Sequence, residues 1–130
     1  MKRRTFIAAS LAASVMPLRA MAFVDYAPGV IEDALAGGKT VFVDFGAVWC
    51  TTCKRQERVI NALRDANPAY DAAMLFVKVD WDTYKSADAT TTRNIPRRST
   101  LLVLRGDDEL GRIVAGTSES DIKALMDKGL

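Results

Sequence analysis

Two residues of this chain are equipped for sulfur chemistry, Cys50 and Cys53, and they are its only cysteines. They stand two residues apart in VFVDFGAVWCTTCK, residues 41–54, in a chain without histidine. Metal binding, a structural disulfide and redox exchange all use such a pair. A structural zinc site takes about four protein ligands and a catalytic one three, which two cysteines alone do not supply, so no metal is expected. A copper(I) thiolate shared between chains has no other support in the sequence. A staple closing a four-residue loop contributes about 2 kcal/mol before strain is subtracted, less than a longer loop would. Redox exchange is the best of the three, because the flanking residues suit it as well as the spacing.

Those flanks are a strand and a helix. TVFVDFG, residues 40–46, is rich in β-branched and aromatic residues on both alternating faces, the pattern of a strand buried inside a sheet. From Thr51 the period changes: Val59, Ile60, Leu63 and Ala66 share one side of a helix, with Lys54, Arg55, Glu57 and Arg58 mostly away from it. Asn67-Pro68 stops it. Cys50 then sits near a helix N-terminus, where free N–H groups and the helix dipole stabilise a thiolate, with Lys54 and Arg55 adding positive charge. Lowering its pKa from about 8.5 to about 7 raises the thiolate fraction near pH 7 about 15-fold. Intrinsic nucleophilicity falls about 5-fold, leaving a net gain of about 3-fold and a much better leaving group. Cys50 is expected to attack a partner's disulfide and Cys53, one turn further in, to resolve the mixed disulfide.

The remaining elements follow from pattern. VIEDALAGG, residues 30–38, reads as a helix closed by glycines, and MLFVKVD, residues 74–80, as a second buried strand. A polar segment to Asn94 is expected to hold one short helix. STLLVL, residues 99–104, is a third strand, RGDDE a turn, and LGRIVAG, residues 110–116, the return strand of a hairpin. SESDIKALMDKG closes the chain as a helix with Ser118 as N-cap and Asp121 at the capping-box position. This order predicts an α/β fold, a mixed central sheet with helices on both faces.

At 130 residues the chain fits one domain, expected over residues 23–130. Residues 1–22 read as a signal peptide: basic MKRR, an apolar stretch, and Ala20-Met21-Ala22 as cleavage site, so that Phe23 begins the mature chain. KRRTFI also fits a twin-arginine signal, and the ordinary secretory route stays open beside it. The leader carries Lys2, Arg3, Arg4 and Arg19 and no acid; 18 basic residues less these four, against 16 acids, turn +2 into −2. The apparent basicity belongs to the leader, and the scattered Lys and Arg of the rest give no nucleic-acid surface. A periplasmic location is expected.

The block VDFGAVWCTTCK resembles the strand-to-helix signature of the thioredoxin superfamily, FVKVDWD its next central strand, and STLLVLRGDDELGRIVAG its terminal hairpin and glycine. The likeness spans Gly29 to Leu130, with the Trp-Cys-x-x-Cys-Lys block its specific part. It implies a thioredoxin fold and dithiol–disulfide exchange with protein thiols and disulfides, Cys50 as nucleophile and Cys53 as resolving thiol. No dissociable cofactor is implied, since the electrons reside in the pair. A membrane electron donor or acceptor would complete the cycle. Asp44 matches the family's buried acid and would accept a proton from Cys53. Trp49 matches the tryptophan beside the nucleophile, as partner surface or as plain packing. Lys78 matches a strand lysine that can lie near the acid, although a solvent-facing lysine is the plainer expectation. Gly46 stands where many members carry another tryptophan, and Gly116 matches a glycine that lets backbone approach the site. Where members carry a cis-proline facing the disulfide, aligning STLLVL puts Ser99, before Thr100, and the resemblance implies that these two contact the substrate together with Trp49, Arg98 and Gly116; Pro96 takes that place only with a three-residue insertion. A Ser99 loop is expected to be trans, because a non-proline cis bond costs about 2.5–4 kcal/mol. Arg97 and Arg98 beside it would either tune the thiolate or form a solvated pair. The competing class is a binding module or assembly factor on the same fold, a copper(I) metallochaperone included. No coiled coil or apolar patch argues for a dimer, so a monomer is the default.

Overall fold

The computed structural model describes residues 22–130; the expected leader lies outside the described residues but for Ala22. In chain order the elements are β1 (Val24–Asp25), α1 (Val30–Ala36), β2 (Thr40–Gly46), α2 (Thr51–Ala66), α3 (Ala69–Ala73) and β3 (Met74–Asp80). They continue with α4 (Trp81–Tyr84), α5 (Asp88–Thr91), β4 (Thr100–Arg105), β5 (Asp108–Val114) and α6 (Glu119–Asp127). The five strands form one sheet in the order β1-β3-β2-β4-β5. β3 pairs parallel with β1 and β2, whereas β4 pairs antiparallel with β2 and β5.

Alternation along β2 divides the core. Val41, Val43 and Phe45 point to one face, with Ile31 and Ala34 of α1, Ala89 of α5 and Ile95. Phe42 points to the other, with Ile60 and Leu63 of α2, Tyr70 of α3 and Ile122, Leu125 and Met126 of α6. Helices therefore cover both faces, as the pattern predicts, and every residue of β2 is buried. By the same parity Asp44 faces the α2 side. The active-site end of α2 is carried by the most enclosed strand of the sheet.

Several elements differ from expectation. β1 was not expected; it is two exposed residues on the sheet edge, with no apolar alternation to mark it. The polar segment holds two four-residue helices, α4 and α5, in place of one, and α3 follows Pro68 as an added turn. The hairpin is tighter than RGDDE suggested: Arg105 pairs with Asp108, leaving Gly106 and Asp107 as the turn, with Gly106 at φ 58°. β5 ends at Val114 because Ala115, at φ 64°, turns the chain away. On α2, Ala66 is exposed and Arg64 is buried instead. Its guanidinium bonds Asp71 at 2.6 Å and lies 4.2 Å from the Phe76 ring centre. The stop at Asn67-Pro68 holds, with Asn67 extended at φ −139°, ψ 99°. Ser118 caps α6 as expected, its hydroxyl accepting the Asp121 N–H at 3.4 Å.

Candidate active site

Cys50 is the N-cap of α2, extended at φ −88°, ψ 112°, and its sulfur accepts the backbone N–H of Cys53 at 3.2 Å. The sulfur occupies the place an Asp or Ser oxygen takes at most helix starts. One turn on, Cys53 reaches back toward it. Both are free thiols. Both residues are closed to solvent, at 5% and 3% exposure for Cys53 and Cys50, and Cys53 is the more deeply packed of the two, as expected.

Ser99 lies between the two sulfurs, its Oγ 3.2 Å from Cys50 Sγ and 3.0 Å from Cys53 Sγ. Every peptide bond among the described residues is trans, and Ser99 adopts φ 65°. Its N–H donates to the Phe45 carbonyl at 2.6 Å and its carbonyl accepts the Ala115 N–H at 2.8 Å. Pro96 makes no approach to the sulfurs among these contacts, so the alignment through Ser99 is the one the geometry follows. Thr100 is fully buried, with its hydroxyl donating to the Arg97 carbonyl at 2.7 Å. It shapes the loop and does not offer a surface to a partner, which corrects its expected substrate contact.

Sequence reasoning missed Gln56. Fully buried, it donates through Nε2 to the carbonyls of Ser99 and Gly116, both at 2.9 Å. It thereby ties the Ser99 loop and the Gly116 backbone to the helix that carries the cysteines. Its signal was a polar residue inside the buried stripe of Cys53, Ile60 and Leu63. Gly116 approaches the site through that carbonyl.

The outer rim is made by Trp49, Arg98 and Asp82. Trp49 is 55% exposed and donates its Nε1 proton to Asp82 at 2.7 Å. The Arg98 guanidinium lies 4.4 Å from the Trp49 ring centre, and Arg98 Nε is buried without a hydrogen-bond partner. Arg98 is therefore not half of a solvated pair. Burial works against ionisation of Cys50, but hydrogen bonds from Cys53, Ser99 and Arg98 outweigh it and bring its pKa down to about 7. Burial raises the Cys53 pKa, and its bond to Cys50 raises it further.

Behind Cys53 stands Asp44, 1% exposed, with Oδ1 lacking a hydrogen-bond partner. Burial pushes its pKa up to about 7; the Lys78 charge pulls the other way, while Glu57 and Cys50 add to the rise. Lys78 pairs with Asp44 in the strand register and bonds Glu57 at 2.9 Å, half-buried, so it is not the solvent-facing lysine expected. A Cβ on Gly46 would stand 3.2 Å from Asp44 Oδ1 and 3.7 Å from Cys53 Sγ. Without it, a cavity of about 460 Å³ lined by Asp44, Gly46, Cys53, Glu57 and Lys78 opens beside the carboxyl. Among the described residues no group of three or more His, Cys, Asp or Glu side chains is placed to hold a metal ion.

The Thioredoxin family model matches residues 29–128. The chain is 30% identical to Thioredoxin of Echinococcus granulosus over 96 residues, covering 74% of this chain and 83% of that one. It is 36% identical to Thioredoxin H2-1 of Oryza sativa subsp. japonica over 87 residues, 67% of this chain and 59% of that longer one. Among solved structures, Trxlp from Edwardsiella tarda EIB202 superposes with a TM-score of 0.67 at 35% identity, covering 78% of this chain and 97% of that one. The fold, the Trp-Cys-x-x-Cys block and these likenesses agree: the chain belongs to the thioredoxin family and is a thiol–disulfide oxidoreductase carrying the Cys50-x-x-Cys53 pair.

Proposed function

We propose that this chain is an exported exchanger of disulfides with protein partners, with Cys50 as nucleophile and Cys53 as resolving thiol. The observation that carries the reading is the shared Ser99 hydroxyl. With Cys50 as the anion and Cys53 as the thiol, that hydroxyl can donate to the first sulfur while accepting from the second, which stabilises the two forms together. The Cys50 thiolate attacks one sulfur of a partner disulfide; the Cys50–partner bond forms, the partner's own S–S bond breaks, and its released thiolate takes up a proton. Cys53 then loses its proton to the Asp44 carboxylate, directly or through water. Its thiolate attacks Cys50 Sγ, the intramolecular disulfide forms, and the second partner thiol leaves reduced. The partner gains two electrons and the pair loses two. Run backwards, the same steps oxidise a partner.

Residues 1–22 support export to the periplasm, where a membrane electron donor or acceptor would reset the pair; a monomer is the default, since no coiled coil in the sequence argues for a dimer. The direction follows from the potential: a value near about −270 mV marks a reductant and one near about −120 mV an oxidant. Insulin reduction driven by dithiothreitol tests the exchange itself. Cys50→Ser is expected to abolish turnover, and Cys53→Ser to accumulate a mixed disulfide visible by mass spectrometry. Undiminished turnover in Cys50→Ser would end the reading. Fractionation of cells expressing the full-length chain tests the location.

A further inference from the structure

The mouth of the site carries a cation where it meets a partner. Arg98 precedes Ser99, its guanidinium carbon lies 4.4 Å from the centre of the exposed Trp49 ring, and its contact with Cys50 places positive charge beside the nucleophile. Asp82 holds the ring from the indole nitrogen. Arg97 Nε donates to the Arg98 carbonyl at 3.1 Å, which keeps a second guanidinium on the same loop. Lys54 and Arg55 are exposed near the start of α2, whose first turn contains no acid. Asp82 accepts from Trp49 and Asp80 from Thr83 at 2.5 Å, which directs both carboxylates to those neutral donors and away from Arg98. Beside Cys50 an incoming chain therefore meets an apolar ring with a guanidinium against it and the Asp82 carboxylate at its indole nitrogen.

From this placement we infer that the rim selects protein disulfides whose attacked cysteine is flanked by Asp or Glu. A planar guanidinium fixed on an aromatic face keeps its outer N–H edge available for bidentate contact with a carboxylate. Because the ring orders it beforehand, little rotamer freedom is lost when the carboxylate arrives. The carboxylate would form an ion pair with Arg98 while the client sulfur is aligned with Cys50. A client flanked by Lys would meet like charge at the same point. The inference rests on the exchange reading above and adds the identity of the client to it.

The test uses three disulfide-bonded peptides that differ only in having Asp, Asn or Lys beside the attacked cysteine. Second-order rate constants for their reduction by the reduced chain are measured together with that of 2-hydroxyethyl disulfide, which is small and uncharged. The native chain is expected to favour the Asp peptide over the Lys peptide by about tenfold at low salt, falling as salt is added. Arg98→Gln should flatten this ratio, Arg98→Glu reverse it, and Arg98→Lys preserve its direction. If Arg98→Gln slows all four substrates by one common factor and leaves the ratio unchanged, Arg98 acts on Cys50 alone and client selection is overturned. Should the glutamine variant fail to fold, a salt-independent ratio in the native chain overturns it equally well. Absence of turnover on every substrate by the native chain would instead sink the exchange reading, so the two failures are separate.

Discussion

The two walls of the site treat the same side chain in opposite ways. On the outer wall the sulfur of Cys50 is met by donors: the Cys53 amide, the Ser99 hydroxyl and Arg98. On the inner wall Cys53 shares the gap at Gly46 with a carboxyl group whose Oδ1 has no partner. One wall lowers a thiol pKa to about 7, whereas the other raises both the Cys53 thiol and the Asp44 carboxyl. Two cysteines one helical turn apart thus acquire different acidities, the outer one from its donors and the inner one first from burial. The exchange reaction needs that difference, because one sulfur must attack first and the other must wait.

Removing the inner acid should change the molecule most. An acid whose folded pKa stands at about 7, above its ordinary 3.8, favours the folded state only while protonated. As pH rises through the unfolded value the unfolded chain ionises first, so stability falls between pH 4 and 7 and stays low above. The full displacement amounts to about 4 kcal/mol. Asp44→Asn is therefore expected to raise unfolding stability by a few kcal/mol near pH 8 and by little near pH 4, measured by urea titration at both. The same variant should slow resolution of the mixed disulfide. A stability gain that does not depend on pH would show that the carboxyl is ionised or solvated, and the contrast between the walls would lose its inner half.

The sequence made the outer wall easier to foresee than the inner one. Cys50 at a helix start follows from a change of period at Thr51, a local signal. The pairing of Ser99 with both sulfurs needed the sheet to bring residues 46 and 49 positions distant together, and only the resemblance placed it. Lys78 could not be assigned from its own strand, because whether it meets solvent depends on Glu57 of a helix packed across it. Thr100 was expected to be a partner contact, but it opens β4 and turns its hydroxyl back to the Arg97 carbonyl, whereas Ser99, at φ 65°, stands outside the strand and meets the sulfurs. Gln56 escaped because a single polar residue in an apolar stripe does not say which carbonyls it will satisfy.

That glutamine offers a smaller and more local perturbation. Gln56→Leu keeps the volume near its original value but withdraws both N–H bonds, from the carbonyls of Ser99 and Gly116. A buried carbonyl that loses a donor costs about 1–2 kcal/mol, so thermal or urea unfolding should show a loss of about that size. The Ser99 carbonyl keeps its bond from the Ala115 amide, which limits the damage. If the tie positions the hydroxyl, the Cys50 pKa should rise in this variant while the pH dependence contributed by Asp44 stays in place. A drop in stability with an unmoved Cys50 pKa would make Gln56 a plain core residue and free the outer wall of it.

The finest test removes the hydroxyl itself. Ser99→Ala withdraws a bond of 3.2 Å from Cys50 and one of 3.0 Å from Cys53. With Cys50 moving from about 7 to about 8, the thiolate fraction at pH 7 falls about fivefold while the more basic sulfur becomes about threefold more nucleophilic. Attack at pH 7 should therefore slow only about twofold. Near pH 9, where both proteins are almost fully ionised, the alanine variant should attack about twofold faster than the native chain. The two pH–rate profiles must cross, and alkylation by iodoacetamide would reveal it. A substitution that merely loosened the loop would lower the rate at every pH, and profiles that never cross would remove Ser99 from the acid–base arrangement of the site.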